Sequence, residues 1–402
     1  MSKLNRIVAL DRTRGVVTVE AGIQWPQLID GLLAMQTDDP QPWSIVQKQT
    51  GADNLSIGGA LSANVHGRGL ELPPFVSNVE AFRVMRADGL ETEVSREKNR
   101  ELFSLAAGGY GLFGVITTVD VRLQRRVKLR RDVEVADSRE LNTLFQKRVA
   151  AGYLYGDFQF KTDEKAPDFL RAGVFSTYRP VALDMPMPPQ QSLSEEAWHQ
   201  LFVLAHLDKA RAFTAYRDYY LGTTGQVYWS DTHQLSYYGD FEAELIKAAP
   251  NTPQGSLMIT EVYVPRDRLS GFMEVVANDF RANGTNLVYG TVRLIERDPD
   301  TFLAWARESY ACIVMNLRVT HTPGGLAKAQ REFQLVIDRA LERQGSFFLT
   351  YHRWARKEQV LAAYPRFVEF LRLKRQFDPD ERFESEWYRH YRTMFAPELA
   401  TP

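Results

Sequence analysis

The segment that decides the fold is residues 56–69, SIGGALSANVHGRG, in which small side chains surround Leu61 and lead to a lone His66. Small residues cost backbone entropy in regular structure and bury little apolar surface. Their concentration in one short segment indicates that another chain segment or a ligand comes close to the backbone. A second segment of the same character follows at residues 106–117, AAGGYGLFGVIT.

Length and composition limit the possible class of protein. A chain of 402 residues predicts two domains, because it exceeds the usual size of one compact core. Its 44% hydrophobic and 25% charged residues are typical of a globular protein. The net charge of −1 gives no general attraction to nucleic acid, and no apolar run is long enough to span a bilayer. We expect small-molecule partners, no nucleic acid, no transmembrane segment and a cytoplasmic location.

Cysteine and histidine usage argues against structural metal and disulfide chemistry. The single cysteine, Cys312, excludes an internal disulfide and fits a reducing compartment. It lies in an apolar run, which favours a buried, inert thiol over a nucleophile. No C-x-x-C or H-E-x-x-H motif occurs, so no metal site is predicted.

The coarse pattern predicts an α+β fold. RIVALD and GVVTVEAG are β-branched runs typical of paired strands, and WPQLIDGLLAMQT has apolar residues at helical spacing. Asp88-Gly89 predicts a hairpin turn. FFLTYHRW, at residues 347–354, predicts another strand. The regular βαβ alternation of a doubly wound sheet is absent.

The two glycine-rich segments are candidate phosphate loops. Neither has the G-x-G-x-x-G or the G-x-x-x-x-G-K-[ST] spacing. Each offers backbone N–H groups that suit a pyrophosphate, and the alternative is a tight turn between packed strands. Two such turns in one small domain favour a large, dinucleotide-type ligand.

The order of the motifs resembles one superfamily. VTVEAGIQWPQLIDGL, SIGGALSANVHGRG, FRVMRADGLE and NRELFSLAAGGYGLFGVIT resemble the FAD-binding domain of the vanillyl-alcohol-oxidase, or PCMH, type. ITEVYVP, YGTVRLIERD, FFLTYHRW and AAYPRFVEFLRLKRQFDPDERFES are similar in order and spacing to aldonolactone and alditol oxidases and to decaprenylphosphoryl-ribose oxidase. The resemblance covers nearly the whole chain and is strongest in residues 16–124 and 347–386.

The resemblance implies an FAD domain built from both chain ends, with a central cap over the flavin. We therefore expect the second part of a PCMH-type FAD-binding domain in residues 1–125. An α+β cap with an antiparallel sheet is expected in residues 126–345, and residues 346–402 are expected to return to the flavin site. In the family, a further segment with a glycine-rich loop, and often a covalent flavin anchor, precedes the strand that opens this sequence. The FAD domain is accordingly expected to be N-terminally incomplete.

The resemblance also assigns cofactor contacts to both glycine-rich segments. Residues of the first are expected against the pyrophosphate and flavin: Ser56, Ile57, Gly58, Gly59, Ser62, Ala63 and Gly67. Residues of the second are expected to form another cradle and to approach the adenine: Gly108, Gly109, Gly111, Gly114, Val115 and Ile116. His66 is interpreted as a positioning residue on the pyrophosphate side rather than a covalent flavin anchor.

Alcohol oxidation by a flavin needs a group that takes the hydroxyl proton. By resemblance, Glu261 and Arg293 line the substrate pocket. Glu261 is expected to accept a hydroxyl proton or to fix a sugar hydroxyl. Arg293 is expected to bind a carboxylate, a phosphate or a developing alkoxide. The alternative for the pair is a salt bridge between neighbouring cap strands.

Tyr351 occupies the position where many sugar-oxidising members carry a lysine near the flavin, and His352 follows it. On a regular strand the two side chains face opposite sides; the alternative for both is strand packing. The expected activity is FAD-dependent oxidation of an alcohol group in a sugar, polyol, aldonolactone or hydroxy acid. Oxygen or another acceptor would reoxidise the flavin. The alternative is a flavin-free homologue that acts as a binding or structural protein.

Overall fold

The computed structural model describes residues 3–236 and 242–400. Their strands form two sheets. The first sheet contains β1 (Ile7–Asp11), β2 (Val16–Glu20), β3 (Trp43–Ile45), β4 (Val79–Met85), β5 (Glu91–Ser95) and β6 (Val115–Arg125). The second contains β7 (Lys128–Asp137), β8 (Tyr155–Phe160), β9 (Ala172–Val181), β10 (Val227–Trp229), β11 (Gly255–Pro265), β12 (Leu287–Ile295), β13 (Tyr310–Thr320) and β14 (Ser346–Phe347).

Helices connect and cover these sheets. The α-helices are α1 (Trp25–Ala34), α2 (Ile57–Ala63), α3 (Arg100–Ala106), α4 (Leu141–Ala150), α5 (Glu195–Leu207), α6 (Lys209–Gly222), α7 (Glu242–Ala248), α8 (Leu269–Asn283), α9 (Pro323–Leu341), α10 (Lys357–Ala363), α11 (Phe367–Phe377), α12 (Glu386–Met394) and α13 (Ala396–Ala400). Short 3-10 helices lie at Phe75–Asn78, Thr232–Gln234 and Arg266–Arg268. Within the described ranges, none of the helices combines the length and the apolar character needed to cross a bilayer.

The first sheet is antiparallel, in the order β1-β2-β6-β4-β5, and β3 pairs with β6. Helix α1 begins with Pro26 in its first turn, where the missing N–H has no helical partner anyway. Its buried residues, Trp25, Leu28, Ile29 and Leu32, recur at helical spacing and form one apolar face. The β4–β5 hairpin turns at Gly89, whose φ of +81° suits glycine, as the Asp88-Gly89 pair predicted.

The second sheet is also antiparallel, in the order β10-β7-β9-β8-β12-β13-β11-β14. Side chains alternate between its faces, so Val262, Val292 and Ile313 are fully buried beneath the sheet while their neighbours point to the other side. Helices α8 and α9 pack against this half of the chain. The fold is therefore α+β with antiparallel sheets, as the sequence predicted.

The C-terminal helices pack on the second glycine-rich segment. The Phe113 ring lies 5.2 Å from that of Phe370 on α11, and the Tyr110 ring stacks 4.5 Å from that of Trp387 on α12. The change from the first sheet to the second falls between Arg125 and Lys128. The exact division into domains stays a prediction.

The strand predicted over residues 347–354 is wrong for most of its length. Only Ser346–Phe347 pairs, with Val262 and Tyr263 at the edge of the second sheet, and no regular element continues up to residue 356. The aromatic residues that suggested a strand pack against side chains instead: His352 and Trp354 stack on Phe333 of α9. Aromatic strand preference reflects packing on a half-buried surface, and α9 offers such a surface here.

Candidate active site

A cavity of about 480 Å³ lies over one face of the second sheet. Residues 49–52, in the segment after β3, form one side, and α5 and α6 form the roof. The polar side chains on the floor and wall are Gln159, Tyr289, Asn316, Glu261 and Arg293, with His66 beside them. The roof is apolar: Trp198, Leu201, Phe202, Ala205, Ala212, Phe213 and Tyr216. One side of the cavity is therefore built for hydrogen bonding and the other for apolar contact.

Strand register brings the polar floor together. Glu261 on β11 lies opposite Val314 on β13, which lies opposite Thr291 on β12, which lies opposite Gln159 on β8. Directly opposed residues share a face of the sheet, as do residues two apart on one strand. Arg293, two residues after Thr291, therefore faces the same cavity.

Two capped helices hold the roof. The Ser194 hydroxyl accepts a hydrogen bond from the Ala197 N–H at the start of α5, and the Asp208 carboxylate accepts one from the Arg211 N–H at the start of α6. The α5 residues that face the cavity are spaced i, i+3, i+4 and i+7, which places them on one side of the helix. That spacing was readable from the sequence, but it does not tell what the apolar face covers.

His66 and Glu261 form a buried pair at the inner end of the cavity. His66 Nε2 lies 2.8 Å from Glu261 Oε1, and both side chains are less than 5% exposed. His66 belongs to the first glycine-rich segment and Glu261 to the second sheet. The pair therefore joins the two halves of the molecule.

The partners of His66 determine where its protons lie. Its Nδ1 donates to the Gly67 carbonyl oxygen at 2.9 Å, because a carbonyl oxygen only accepts. One further proton sits between Nε2 and the Glu261 carboxylate. His66 thus has no nitrogen open to take another proton, and it serves to position Glu261.

The Glu261 carboxylate is the centre of this network. It also accepts a hydrogen bond from the Tyr263 hydroxyl, and it interacts with the hydroxyl of Tyr351. Burial alone would raise the pKa of the Glu261 carboxyl, but the charge and hydrogen bond of His66 and the bond from Tyr263 outweigh it, so the pKa is lowered. Glu261 is therefore ionised at neutral pH and can accept a hydrogen bond or a proton from a ligand.

Cys312 also contacts this network. Its Sγ lies 3.6 Å from His66 Nε2, and the potential ligand atoms of His66, Glu261 and Cys312 lie within 4.8 Å of one another. Burial raises the pKa of the Cys312 thiol well above its ordinary value, so the sulfur keeps its proton. Since Nε2 and Oε1 already bond to each other, the arrangement favours proton handling over metal coordination.

Tyr351 and His352 lie in different surroundings. Tyr351 lines the cavity and accepts a hydrogen bond from Gln49 Nε2 at 3.3 Å. His352 does not line the cavity; it is buried, with Nε2 3.3 Å from Thr260 Oγ1. The structure thus brings Tyr351 to Glu261 and packs His352 in the core, so a catalytic role for His352 has no geometric basis.

Arg293 stands apart from Glu261. Strand β13 lies between their strands, and no ion pair or hydrogen bond of Arg293 is found among the described residues. The alternative of a salt bridge between neighbouring strands is therefore wrong. Arg293 is 7% exposed, and its Nε is a buried donor without a partner in the part of the chain that the structure describes.

Several N–H groups of the first glycine-rich segment are bonded within the protein. Ser56 caps α2 by accepting from Gly59 N, Gly58 N donates to Ala21 O at 2.7 Å, and Ile57 N donates to Ile23 O. Gly67 N donates to the Gln47 side chain at 3.3 Å. Gly58 is glycine because an added Cβ would lie 2.8 Å from that of Ala21. These N–H groups are therefore bonded inside the protein and cannot form the expected cradle.

The second segment binds the first. Gly108 N donates to Leu61 O, and Tyr110 N donates to Ser62 O, each at 2.9 Å. Gly109, Gly114 and Ile116 are buried, whereas Gly111 and Val115 are exposed. The two glycine-rich turns are thus one packed unit with a few open positions.

The exposed positions of the two glycine-rich segments suit close contact with a ligand rather than hydrogen bonding through backbone N–H groups. Ser56, Gly59, Ser62 and Ala63 are partly exposed and share one side of α2, and their own side chains are small. An added side chain at Gly111 would meet nothing within 4 Å. A flat cofactor can lie against such a surface, so these residues fit FAD through contact with small side chains.

Sequence reasoning missed several cavity residues. Gln49, Gln159 and Tyr289 line the polar side, and none was singled out. A polar residue inside a strand of buried apolar residues is informative, and Asn316 in YACIVMNLRVT and Gln159 in YGDFQF carried that signal. Gln49 lies in an irregular segment, where no periodic pattern exists.

Comparison with known proteins agrees with the motifs. Residues 1–95 match the model of the FAD binding domain family. The chain is 30% identical over 159 residues to mitochondrial L-galactono-1,4-lactone dehydrogenase of Arabidopsis thaliana and 30% identical over 123 residues to L-gulonolactone oxidase of Mus musculus. These alignments cover 39% and 30% of the chain, and 25% and 26% of the relatives. The chain thus spans about a quarter of their length.

A third relative matches over nearly the whole chain. Decaprenylphosphoryl-beta-D-ribose oxidase of Mycolicibacterium smegmatis is 23% identical over 419 aligned positions, which cover 98% of this chain and 84% of that protein. Residues 1–95 therefore match the FAD-binding domain family, and the chain is similar to aldonolactone oxidases and dehydrogenases and to decaprenylphosphoryl-ribose oxidase.

Proposed function

We propose that the chain is an FAD-dependent oxidoreductase that oxidises an alcohol carbon of a small hydroxylated substrate. The observation that carries this is the His66–Glu261 pair, which lies in a cavity between the FAD-binding segment and the second sheet. FAD, when bound, supplies the acceptor for the hydride from the alcohol carbon. The protein must then bind the hydroxyl group and take its proton.

Glu261 is the proposed proton acceptor. It is ionised, faces the cavity and is held by two donors, His66 and Tyr263. His66 is a positioning residue, since both of its nitrogens are bonded. Tyr351 keeps its proton, because burial raises the pKa of its phenol well above the ordinary value, and its hydroxyl interacts with Glu261, so it helps to hold that carboxylate in the cavity.

The proposed substrate class follows from the two sides of the cavity. The floor residues offer amide, hydroxyl and guanidinium groups for a polyol, a sugar or an aldonolactone, the last named in two relatives. The apolar roof supports a substrate with an apolar part, and the third relative carries decaprenyl in its name. Oxygen or another acceptor would reoxidise the flavin, and the cytoplasm stays the predicted compartment.

Anaerobic flavin reduction tests the proposal. The purified chain is loaded with FAD and mixed, without oxygen, with a panel of aldonolactones, alditols, aldoses and 2-hydroxy acids, and the visible absorbance of the flavin is followed. Bleaching by at least one compound is the expected result. A loaded chain that no alcohol reduces, while dithionite still reduces it, would overturn the proposal.

A second candidate is a flavin-free binding protein. Its support is the internal bonding of the N–H groups at Gly58, Gly108 and Tyr110, which leaves no backbone cradle at those positions. Titration with FAD separates the two candidates. Saturable binding with a changed flavin spectrum favours the enzyme, and its absence, in a chain that still binds polyols, favours the binding protein.

A further inference from the structure

We propose that Arg293 is the anchor for an anionic oxygen group, a carboxylate or a phosphate, on the substrate. This inference rests on the proposed function, because it assigns a chemical class to the ligand of the same cavity. The Arg293 side chain has no hydrogen-bond or ion-pair partner among the described residues. Arg293 is a permanent cation at neutral pH, it is 7% exposed, and it lines the cavity.

An unpaired buried guanidinium is unfavourable, since removal from water is compensated only by an opposite charge or by hydrogen bonds. Two carboxylates, Asp157 and Glu261, act on it through space without forming an ion pair. Asp157 is within ion-pair distance of Arg68, and Glu261 is bonded to His66 and Tyr263. The carboxylates near Arg293 are therefore engaged elsewhere.

Other buried cations of this region differ from Arg293 in having close partners. These are Lys48 with Asp53 at 2.6 Å, Arg68 with the His233 carbonyl oxygen at 2.5 Å, and Arg131 with the Tyr178 hydroxyl at 2.9 Å. Each of these cations therefore has at least one close partner, whereas Arg293 has none among the described residues. Arg293 faces the cavity instead, which is the arrangement of a site that a ligand completes.

Two polar groups lie next to Arg293 in the sheet. Gln159 Oε1 and Thr291 Oγ1 are buried and have no hydrogen-bond partner within the described part of the chain. The two residues are paired across β8 and β12, next to Arg293 in the register. Gln159 lines the cavity, and its carbonyl oxygen accepts from a hydroxyl. A cation beside a hydroxyl acceptor selects a hydroxylated anion over a neutral polyol.

The planar fork of arginine binds carboxylate and phosphate through two parallel hydrogen bonds. Such a contact leaves the hydroxyl-bearing end of the substrate to reach Glu261. With β13 between their strands and a two-residue offset in register, the backbones of Glu261 and Arg293 are about 12 Å apart. A substrate held at both ends therefore carries its anion several bonds away from the oxidised carbon.

Ligand binding to the full-length chain tests this without turnover. D-gluconate, D-glucitol monophosphate and neutral D-glucitol are titrated at constant ionic strength, with calorimetry and thermal shift as readouts. We expect at least one of the two anions to bind about tenfold or more tightly than D-glucitol. The tighter of the two tells carboxylate from phosphate. Equal binding of all three, or no anion binding, overturns the inference.

Substitutions at Arg293 test whether this residue causes the preference for anions. Arg293→Gln should abolish the preference for anions, and Arg293→Lys should keep part of it, because a lysine supplies the charge without the planar fork. Arg83→Gln on β4 is the matched control, since it removes one positive charge from an exposed position in the other sheet. It should leave the preference unchanged. An Arg293→Gln variant that still prefers anions contradicts the inference.

Stability separates a ligand anchor from a structural residue. Without ligand, Arg293→Gln should melt at or above the temperature of the parent, because it removes an unpaired buried charge. A clear decrease would identify a structural role and overturn the inference. A chain that binds anions through Arg293 but oxidises no alcohol refutes only the proposed function. Turnover of neutral polyols without Arg293-dependent anion binding refutes only the inference.

Discussion

The two glycine-rich turns and the polar face of the second sheet differ in how their polar groups are hydrogen-bonded. In the turns, the N–H groups of Gly58, Gly108 and Tyr110 all find partners inside the protein. On the sheet face, Gln159, Thr291 and Arg293 carry buried polar atoms without such partners. The difference shows that a segment rich in small residues can serve packing, whereas Gln159 and Arg293, which line the cavity, leave polar atoms that a ligand can satisfy.

The largest effect is expected from a substitution on the polar face of the second sheet. Glu261→Gln keeps the shape of the side chain but removes the proton acceptor, so the rate of flavin reduction by an active substrate should fall by about 10²–10⁴-fold. Glu296→Gln is the control, because Glu296 pairs with Arg266 away from the cavity. Stopped-flow absorbance under anaerobic conditions measures both. A Glu261→Gln variant with the rate of the parent would remove Glu261 from the chemistry.

Substitutions in the second glycine-rich turn should lower the stability of the protein. Gly114 has φ of +137°, and an added Cβ would lie 2.4 Å from Val84 Cγ1, so Gly114→Ala should lower the free energy of unfolding by about 2–4 kcal/mol. Gly111 also has a positive φ but has open space around it, so Gly111→Ala should lower it by only about 1–2 kcal/mol. Denaturant unfolding compares the two. Equal losses would show that backbone conformation, and not packing, decides the cost.

Acid stability tests the placement of His352 in the core. Burial lowers the pKa of His352 to about 4, below its ordinary 6.5, so the folded protein holds it neutral while the unfolded chain takes up a proton. Above about pH 6.5, His352 is neutral in both states and its protonation does not affect the free energy of unfolding. As the pH falls from there towards 4, the free energy of unfolding decreases by about 3 kcal/mol in all.

His352→Phe keeps the ring that stacks on Phe333 and cannot be protonated. The variant should therefore lose less stability than the parent between neutral pH and about pH 4. Unfolding by denaturant at several pH values measures the difference. Parallel curves for variant and parent would show that His352 is solvated in the native state.

The smallest effect is expected at Tyr351. Tyr351→Phe removes the hydroxyl that contacts Gln49 and Glu261 but leaves the ring packed on Phe348. A single hydrogen bond contributes about 0.5–1.5 kcal/mol, so flavin reduction should slow by about two- to tenfold. Anaerobic stopped-flow absorbance with one active substrate measures the rate. A loss as large as that of Glu261→Gln would make Tyr351 part of the proton transfer.

The sequence predicted the fold better than the site. The α+β class, the Asp88-Gly89 turn and the FAD-binding segment are confirmed, since they depend on local patterns and on ordered motifs. The partnership of His66 with Glu261 was not predictable, because it joins residues far apart in the chain through the strand order. The free N–H groups expected at the turns are wrong because their acceptors, Ala21 and Leu61, lie in other elements.

The packing of α11 and α12 on the second glycine-rich segment has a consequence for biosynthesis. Phe113 and Tyr110 leave the ribosome before the second sheet is made, whereas Phe370 and Trp387, which cover them, are made only after it. The first sheet therefore waits, with aromatic surface uncovered, until α11 and α12 have been synthesised. Stalled nascent chains should expose this region to protease until α12 has emerged; protection of shorter chains would show that the first sheet closes alone.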